Sequence, residues 1–346
     1  MYIAIDTAGG DYAPRRVVHG ALVAARHLGF GLILVGNKKQ IESELGRYRD
    51  LGKVDLRILD TPEVIEMVEA PATALRKKPK ASIRLVADLV ARGDASAFFS
   101  SGHTGATVLA ARSSFGLLPG VDRAALATMI PTLRHGAVLL DSGANIECRP
   151  QHLVQFAVMG RAYANLLFDI SEPKVGLLSI GEEATKGNEL ICDTHRLLKS
   201  SGLNFVGNVE AADLYKGYAD VIVCDGFTGN IALKISEGLV AVVEELLHEE
   251  LKRTFTTRFG YLLSRRAFRR FSRRVDYSEY GGALLLGVRG LCIVGHGRSS
   301  SKAVRNAVAM AYHFADQGFV EKISKEINSI SGYHSSKSSS NIEQVS

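Results

Sequence analysis

The sequence predicts an α/β protein, a Rossmann-like and mostly parallel sheet flanked by helices, with a protruding helical hairpin late in the chain. Three observations carry this. Short apolar runs alternate with longer stretches of helical period, the pattern of consecutive βα units. Most of the runs end in a polar loop containing glycine, as strands that feed helices do. Residues 234–275 read as two long helices in succession, the second strongly basic.

Taken in order, the apolar runs are 2–6, 31–35, 54–59, 97–100, 137–141, 175–180, 204–207, 221–225 and 291–295. Apolar residues of helical spacing fill 15–28, 82–92, 105–115, 151–167, 189–200 and 234–253, and a last helix is expected over 301–317. No repeat of fixed period is legible. Residues 1–328 are expected to form a single α/β catalytic domain that includes the hairpin 234–275. The tail 329–346, with eight serines in eighteen residues, is expected to be disordered.

With 346 residues and 46% hydrophobic content, the chain can bury a large core, which excludes a disordered protein. Its net charge of +6 is local: residues 252–275 hold nine basic side chains and no acid, leaving −3 for the rest. That argues against a partner such as nucleic acid spread over the whole surface. The N-terminus enters an apolar run without the basic flank of a signal peptide, and no stretch reaches ~18 uninterrupted apolar residues. A cytoplasmic location is expected. Cys148, Cys192, Cys224 and Cys292 lack C-x-x-C spacing, so reduced thiols are expected in place of disulfides or zinc.

Six strand ends carry glycine with polar partners: 6–11 (DTAGGD), 100–105 (SSGHTG), 141–145 (DSGAN), 181–189 (GEEATKGNE), 225–230 (DGFTGN) and 295–300 (GHGRSS). Open α/β sheets bind ligands outside the carboxyl ends of their strands. Glycine lets backbone amides approach an anion, and the following helix adds unpaired N–H groups. Six such ends predict one large polar cleft. No loop reads G-x-x-x-x-G-K-[ST] or G-x-G-x-x-G, and there is no G-x-S-x-G elbow. Inorganic phosphate neutralised by Lys186, Lys234 or Arg298 fits better. The carboxylates are dispersed, so neither a metal nor another cofactor is expected.

At these loops the sequence resembles the PlsX family of phosphate acyltransferases, from Tyr2 to about Phe314. The motifs are IGEEATKGNE (180–189), CDGFTGNIALK (224–234), DYSEYGGALLLG (276–287), VIEMVEAPATALRKK (64–78), SSGHTGA (100–106), DSGANIECRPQHLVQFAVMG (141–160) and HGRSSSKA (296–303). The chain departs from the family pattern at Thr7 and Ala8, at Ala124, at Leu284 and at His103, where the family has Asn. The resemblance implies acyl transfer from acyl-acyl carrier protein to inorganic phosphate, giving acyl phosphate for phospholipid synthesis. It also implies a homodimer at the membrane surface and a downstream glycerol-3-phosphate acyltransferase as user of the product. Two rival readings are a phosphotransacetylase-like enzyme acting on acyl-coenzyme A and a non-catalytic scaffold for lipid-synthesis enzymes.

Phosphate is itself the nucleophile in such a reaction, so the protein has to orient two anionic partners and stabilise an oxyanion. Lys186 is the expected neutralising charge, Asn188, Asn145 and Asn230 the expected donors, and His103 and His296 candidate proton shuttles. Phosphate and substrate binding are expected at Gly9, Gly10, Asp11, Ser101, Gly102, Thr104, Gly105, Asp225, Gly229 and Lys234. Plainer roles compete: Lys186 as ion-pair partner of Glu182, Glu183 or Glu189, the asparagines as helix caps, and the strand-end Asp6, Asp141 and Asp225 as holders of loop amides. On a wheel, the arginines of 264–275, including Arg265 and Arg269, oppose Phe268 and Phe271, and Phe259, Leu262 and Leu263 precede them. That is the pattern of an interfacial helix on anionic lipid. A docking face for acidic carrier protein, or a solvated basic face, is the alternative.

Overall fold

The computed structural model describes residues 1–48, 51, 52, 54–275 and 281–328. The serine-rich tail, residues 276–280 of DYSEYGGALLLG and the side chain of Arg269 lie outside the described residues.

Apolar runs become strands of one eleven-stranded sheet, buried on both faces except at its edge strands. In chain order these are β1 (Tyr2–Asp6), β2 (Gly31–Gly36), β3 (Leu56–Asp60), β4 (Ala97–Ser100), β5 (Ala125–Ile130), β6 (Ala137–Leu140), β7 (Val175–Ser179), β8 (Phe205–Glu210), β9 (Val221–Val223), β10 (Ala283–Leu286) and β11 (Leu291–Val294). Periodic segments become α1 (Arg15–Leu28), α2 (Lys38–Leu45), α3 (Pro71–Lys77), α4 (Ser82–Ala91), α5 (Thr104–Phe115), α6 (Pro150–Phe168), α7 (Glu189–Lys199), α8 (Gly226–Arg253), α9 (Phe255–Val275) and α10 (Ser301–Asp316). α1 shows why: Val17, Val18, Ala21, Leu22 and Ala25 form its buried stripe, and Gly29, at φ 79°, takes the left-handed conformation that ends it. Each fully buried Val or Leu contributes about 1.5–3 kcal/mol.

The strand order is β3-β2-β1-β4-β11-β10-β5-β6-β9-β7-β8. Neighbours run parallel except at β11/β10, β10/β5 and β5/β6, which are antiparallel. Three reversals turn β6, β9, β7 and β8 opposite to β1, β2, β4 and β11. This corrects the expectation of a single cleft at six strand ends: the loops after β1, β4 and β11 lie at one edge of the sheet, those after β6, β7 and β9 at the other. Neither β5 nor β10 is marked in the sequence reading, and β10 is the strand that joins the two blocks.

The blocks are related by an approximate two-fold between β10 and β5. β2-β1-β4-β11-β10 corresponds to β8-β7-β9-β6-β5. α1 and α10 pack together on one block, and α7 and α6 on the other, all on the same face of the sheet. α5, with α3 and α4, covers the opposite face, where the base of α8 also packs through Leu233. The equivalent β4 and β9 both lead into G-x-T-G, at 102–105 and 226–229. No fixed period shows in the sequence because the chain crosses between blocks, β11 being the counterpart of β6.

α8 starts eight residues earlier than its apolar pattern predicts. Asp225 caps it, accepting from the Thr228 N–H at 2.9 Å. Only Gly226, Gly229 and Leu233 of this helix are buried, so from Lys234 onward it leaves the body. The Thr254 hydroxyl accepts from the Thr257 N–H at 3.2 Å and starts α9. At the far end Arg274 Nη2 donates to the carbonyls of Thr132 and Leu133 at 3.1 and 2.7 Å, tying α9 back to the β5–β6 loop.

A Cβ at Gly229 would overlap the Asp141 carbonyl oxygen, whereas one at Gly260 in α9 would meet nothing. Gly229→Ala should therefore lower stability by about 2 kcal/mol or more. Gly260→Ala should leave it unchanged or raise it by up to ~1 kcal/mol. Thermal unfolding of the two variants checks this.

Candidate active site

The loops after β1, β4 and β11 close into a cradle around one buried carboxylate. Asp6, 1% exposed, accepts from the Ser100 hydroxyl at 2.7 Å and the Ala8 N–H at 3.2 Å. Ser100 in turn accepts from the Gly102 N–H at 3.1 Å, and Ser101 donates to the Gly9 carbonyl at 2.9 Å. The Asp11 N–H donates to Gly297 at 2.8 Å. Gly10, at φ +97°, lies where a Cβ would touch both Gly297 and Ser101 at 3.0 Å. Burial pushes the Asp6 carboxyl up; the hydrogen bonds from Ser100, Ser82 and the Ala8 and Gly9 amides pull it back.

α5 opens onto this cradle. Its N-cap is His103, whose side chain makes no capping bond, and its first turn contains no acid. Nδ1 of His103 is buried without a hydrogen-bond partner among the described residues. The first-turn N–H groups and the positive end of the helix dipole thus meet a glycine-lined surface, the standard geometry for an oxyanion. Gly9, Gly10, Asp11, Ser101, Gly102, His103, Thr104, Gly105 and His296 all lie in this cradle. Ser101 and Asp11 serve partly as braces, since the Ser101 hydroxyl is spent on Gly9 and Asp11 pairs with Arg298 at 3.6 Å.

His296 has a defined tautomer. Its Nδ1 accepts from the Arg298 N–H at 3.1 Å, which leaves the proton on Nε2. Lost solvation and the Lys234 and Arg298 cations hold its pKa below the usual histidine value, with Glu237 and Asp11 acting the other way. It is therefore a neutral N–H donor at pH 7.

The second cluster sits at the opposite edge, around Asp141. This carboxylate, fully buried, accepts from the N–H groups of Leu126, Gly143, Ala144 and Asn145 and from Asn145 Nδ2, at 2.8–3.0 Å. Asn145 Nδ2 also donates to Ala124 at 2.8 Å, and its carbonyl accepts from the Gly226 N–H at 2.7 Å. Both amide protons of Asn145 are consumed, so it is a clamp and not an oxyanion donor. Gly229 is likewise a packing position. Asp225, N-cap of α8, binds both the N–H and the hydroxyl of Thr228. Its carboxylate occupies the helix end where an anion would sit, so α8 is closed to phosphate where α5 is open.

α8 links the clusters. Near its base Asn230 packs against Gly143, with no hydrogen bond to its exposed amide among the described residues. One turn later Lys234, paired with Glu237 at 2.8 Å, lies close enough to His296 to depress its pKa. Lys186 and Asn188 are placed apart, in the loop after β7, on the far side of β9 from Asp141. Asn188 caps α7, its Oδ1 accepting from the Ile191 N–H at 3.0 Å. Lys186 is exposed and takes no ion-pair partner among the described residues, so the competing role as partner of Glu182, Glu183 or Glu189 is not seen there. Missed by the sequence reading are Ser100, the brace between Asp6 and Gly102, and Glu237, whose i,i+3 spacing from Lys234 was the available signal.

At the hairpin tip Phe259, Leu262 and Leu263 are exposed, joined by Phe255 at 88%. Arg265 is exposed on α9. Phe268 is turned inward against Tyr261, ring centroids 5.3 Å apart, and lines the groove facing α8 with Phe271, itself half exposed. The wheel placed Phe268 on the lipid face; packing against α8 decides otherwise.

The fold is that of the phosphotransacetylases. The Streptococcus pyogenes phosphotransacetylase superposes with a TM-score of 0.60 at 19% identity, covering 92% of this chain and 94% of that one. The Staphylococcus aureus phosphotransacetylase gives 0.56 at 17%, covering 90% and 94%. Residues 1–322 match the family described as fatty acid synthesis protein. The phosphate acyltransferase of Pelotomaculum thermopropionicum is 48% identical over 330 residues, 95% of this chain and 96% of that protein. That of Citrifermentans bemidjiense is 45% identical over 328 residues, 95% and 93%. The chain belongs to the phosphate acyltransferase (PlsX) family.

Because Asp11 offsets Arg298 beside the cradle, Asp11→Asn should tighten inorganic phosphate binding by about 2- to 10-fold, and Arg298→Met should weaken it. Isothermal titration with phosphate measures both; an unchanged affinity in both variants would place the anion elsewhere.

Proposed function

We propose that the chain transfers a fatty acyl group from acyl-acyl carrier protein to inorganic phosphate, giving acyl phosphate and the free carrier thiol. One observation carries this reading: the α5 N-terminus, uncapped and free of acid, opens on a glycine cradle flanked by Arg298 and approached by Lys234. Family membership supports it, and the names of the relatives supply acyl transfer to phosphate as the reaction class.

In this reading phosphate rests on the first-turn amides of α5 and the Gly9–Gly10 backbone. A phosphate oxygen attacks the thioester carbonyl carbon, and the carbonyl π pair moves to oxygen. Lys234, the Asn230 amide and the His296 Nε2–H, all reached from α8 or the β11 loop, stabilise that oxyanion; each donor contributes about 3–4 kcal/mol. Collapse breaks the C–S bond and expels the thiolate, which takes a proton from solvent. The Gly9, Gly102 and Gly226 contacts keep these groups from moving as charge develops.

The hairpin supplies location. Phe255, Phe259, Leu262 and Leu263 form an exposed apolar tip beside the arginines of α9, and an anionic bilayer would take both. α8 is long and apolar enough, by length and composition, to span a bilayer. Its first turns, however, are docked on the sheet, which favours a peripheral cytoplasmic protein. The acyl phosphate would pass to a membrane-bound glycerol-3-phosphate acyltransferase, and the acting unit would be a homodimer.

Phosphate-dependent release of carrier thiol tests the reaction. Lys234→Met should lower the rate at least ~100-fold; no phosphate-dependent release would leave a scaffold, and preference for acyl-coenzyme A would leave the phosphotransacetylase-like reading. Protonating His296 at Nδ1 would break the bond from the Arg298 N–H that sets its orientation, and its pKa lies below the usual value of about 6.5, so an acid limb due to His296 should appear only below that value. His296→Asn should remove the acid limb. Phe259→Ser with Leu263→Ser should abolish flotation with anionic liposomes and keep thiol release in solution; full retention on liposomes would exclude the membrane role of the tip.

A further inference from the structure

The motif VIEMVEAPATALRKK (64–78) stands against the cradle without supplying a group to it. α3 starts there: Pro71 Cγ lies 3.1 Å from where a Cβ on Gly105 would be, so the first turns of α3 and α5 touch. Ala74 and Leu75 bury the inner side of α3, and its outer face shows Ala72, Thr73, Arg76 and Lys77, spaced three and four apart. The basic pair thus sits roughly 8–9 Å along the helix from Pro71. Only the small side chains of Ala72 and Thr73 stand between on that face.

Residues 70–87 hold five basic side chains and no acid. Lys78 is spent inside the protein, donating to the Val64 carbonyl at 2.7 Å and pairing with Glu69 at 2.6 Å, and Arg84 lies 3.9 Å from Asp88. Arg76, Lys77 and Lys80 are exposed and take no ion pair among the described residues. The carboxylate of Glu63 accepts from the Lys80 N–H at 2.9 Å, which leaves Glu66 as the exposed acid of the motif. Next to Glu66 the same motif exposes Met67 and Val68, at 59 and 94%. This loop is braced to the start of α4, since the Thr61 hydroxyl donates to the Lys80 carbonyl at 2.6 Å and the Ser82 N–H to the Glu63 main-chain carbonyl at 3.0 Å. An apolar pair flanked by free cations on a rigid frame suits a protein partner, and the sign of the charge selects an acidic one.

An acyl donor has to present its thioester at the cradle, so its carrier must dock within reach of the arm that bears the acyl group. The α3 face meets that condition because α3 abuts α5. The hairpin tip does not, because α8 runs about 29 Å from Lys234 to Arg253. We infer that Arg76, Lys77 and Lys80, with Met67 and Val68, form the surface on which an acidic carrier protein docks, its arm passing over Ala72 and Thr73 to the first turn of α5. This rests on acyl-acyl carrier protein as the donor and assigns where the carrier sits. The arginines of α9 remain for lipid.

Titration of fluorescently labelled holo-acyl carrier protein against the full chain at low salt tests it. Wild type should bind saturably and lose affinity as salt rises. Arg76→Glu with Lys77→Glu should weaken carrier binding about 10-fold or more, while inorganic phosphate affinity stays within about 2-fold. Glu66→Lys should tighten carrier binding about 2- to 5-fold, a gain that misfolding cannot produce. Arg265→Glu with Arg266→Glu should leave it unchanged. Equal affinity in the Arg76/Lys77 variant, no gain from Glu66→Lys, or loss of binding in the Arg265/Arg266 variant would each overturn the surface while the donor reading stands. A wild type that binds no carrier would overturn the surface as well, and thiol release from acyl-acyl carrier protein reports separately on the donor.

Discussion

The rest of the structure hangs on the Asp141 carboxylate and the five hydrogen bonds it accepts. A buried carboxylate left unsatisfied costs several kcal/mol, which makes the loop that surrounds it nearly obligatory once β6 is in place. Burial raises its pKa while the amides of Ala144 and Leu126 and the Asn145 side chain lower it. The loop so formed is the surface on which Gly226 and Gly229 seat the base of α8. A displaced Asp141 loop would carry Asn230 and Lys234 out of reach of His296, and the hairpin with them. Asp6 does the same for the cradle, through Ser100 and Ser101.

The two halves divide the work because the same loop is capped differently in each. In G-x-T-G at 102–105 the residue before the helix is His103, with no capping bond; in the counterpart the cap is Asp225. A carboxylate at a helix N-terminus stabilises the helix and excludes an anion, while an uncapped end attracts one. A near-symmetric frame thereby holds one helix end left uncapped and one closed by its own carboxylate, on which α8 is seated.

Much of this was legible beforehand. The ends of α1 were read to the residue, because Gly29 and the Val17–Ala25 stripe state them locally. The glycine loops were legible as loops, and the strand-end aspartates as holders of amides. β5 and β10 were not: each leads into another strand of the sheet in place of the helix that marks a βα unit. Their omission made six loops look like one cleft. That Lys186 stands in the loop after β7, two strands from β6 and its Asp141, was likewise not legible, because strand order is not written in the motif.

The sequence by itself determined the βα alternation, the polar strand ends and the concentration of positive charge in 252–275, since each depends on residues close together in the chain. Only the tertiary structure decided which loops share an edge, which amides are already spent, and that Phe268 faces α8 while Phe259 faces outward. Those outcomes depend on strand direction and on packing between distant segments. Three antiparallel pairings reversed half the sheet, and a helix wheel cannot say which side a second helix will occupy.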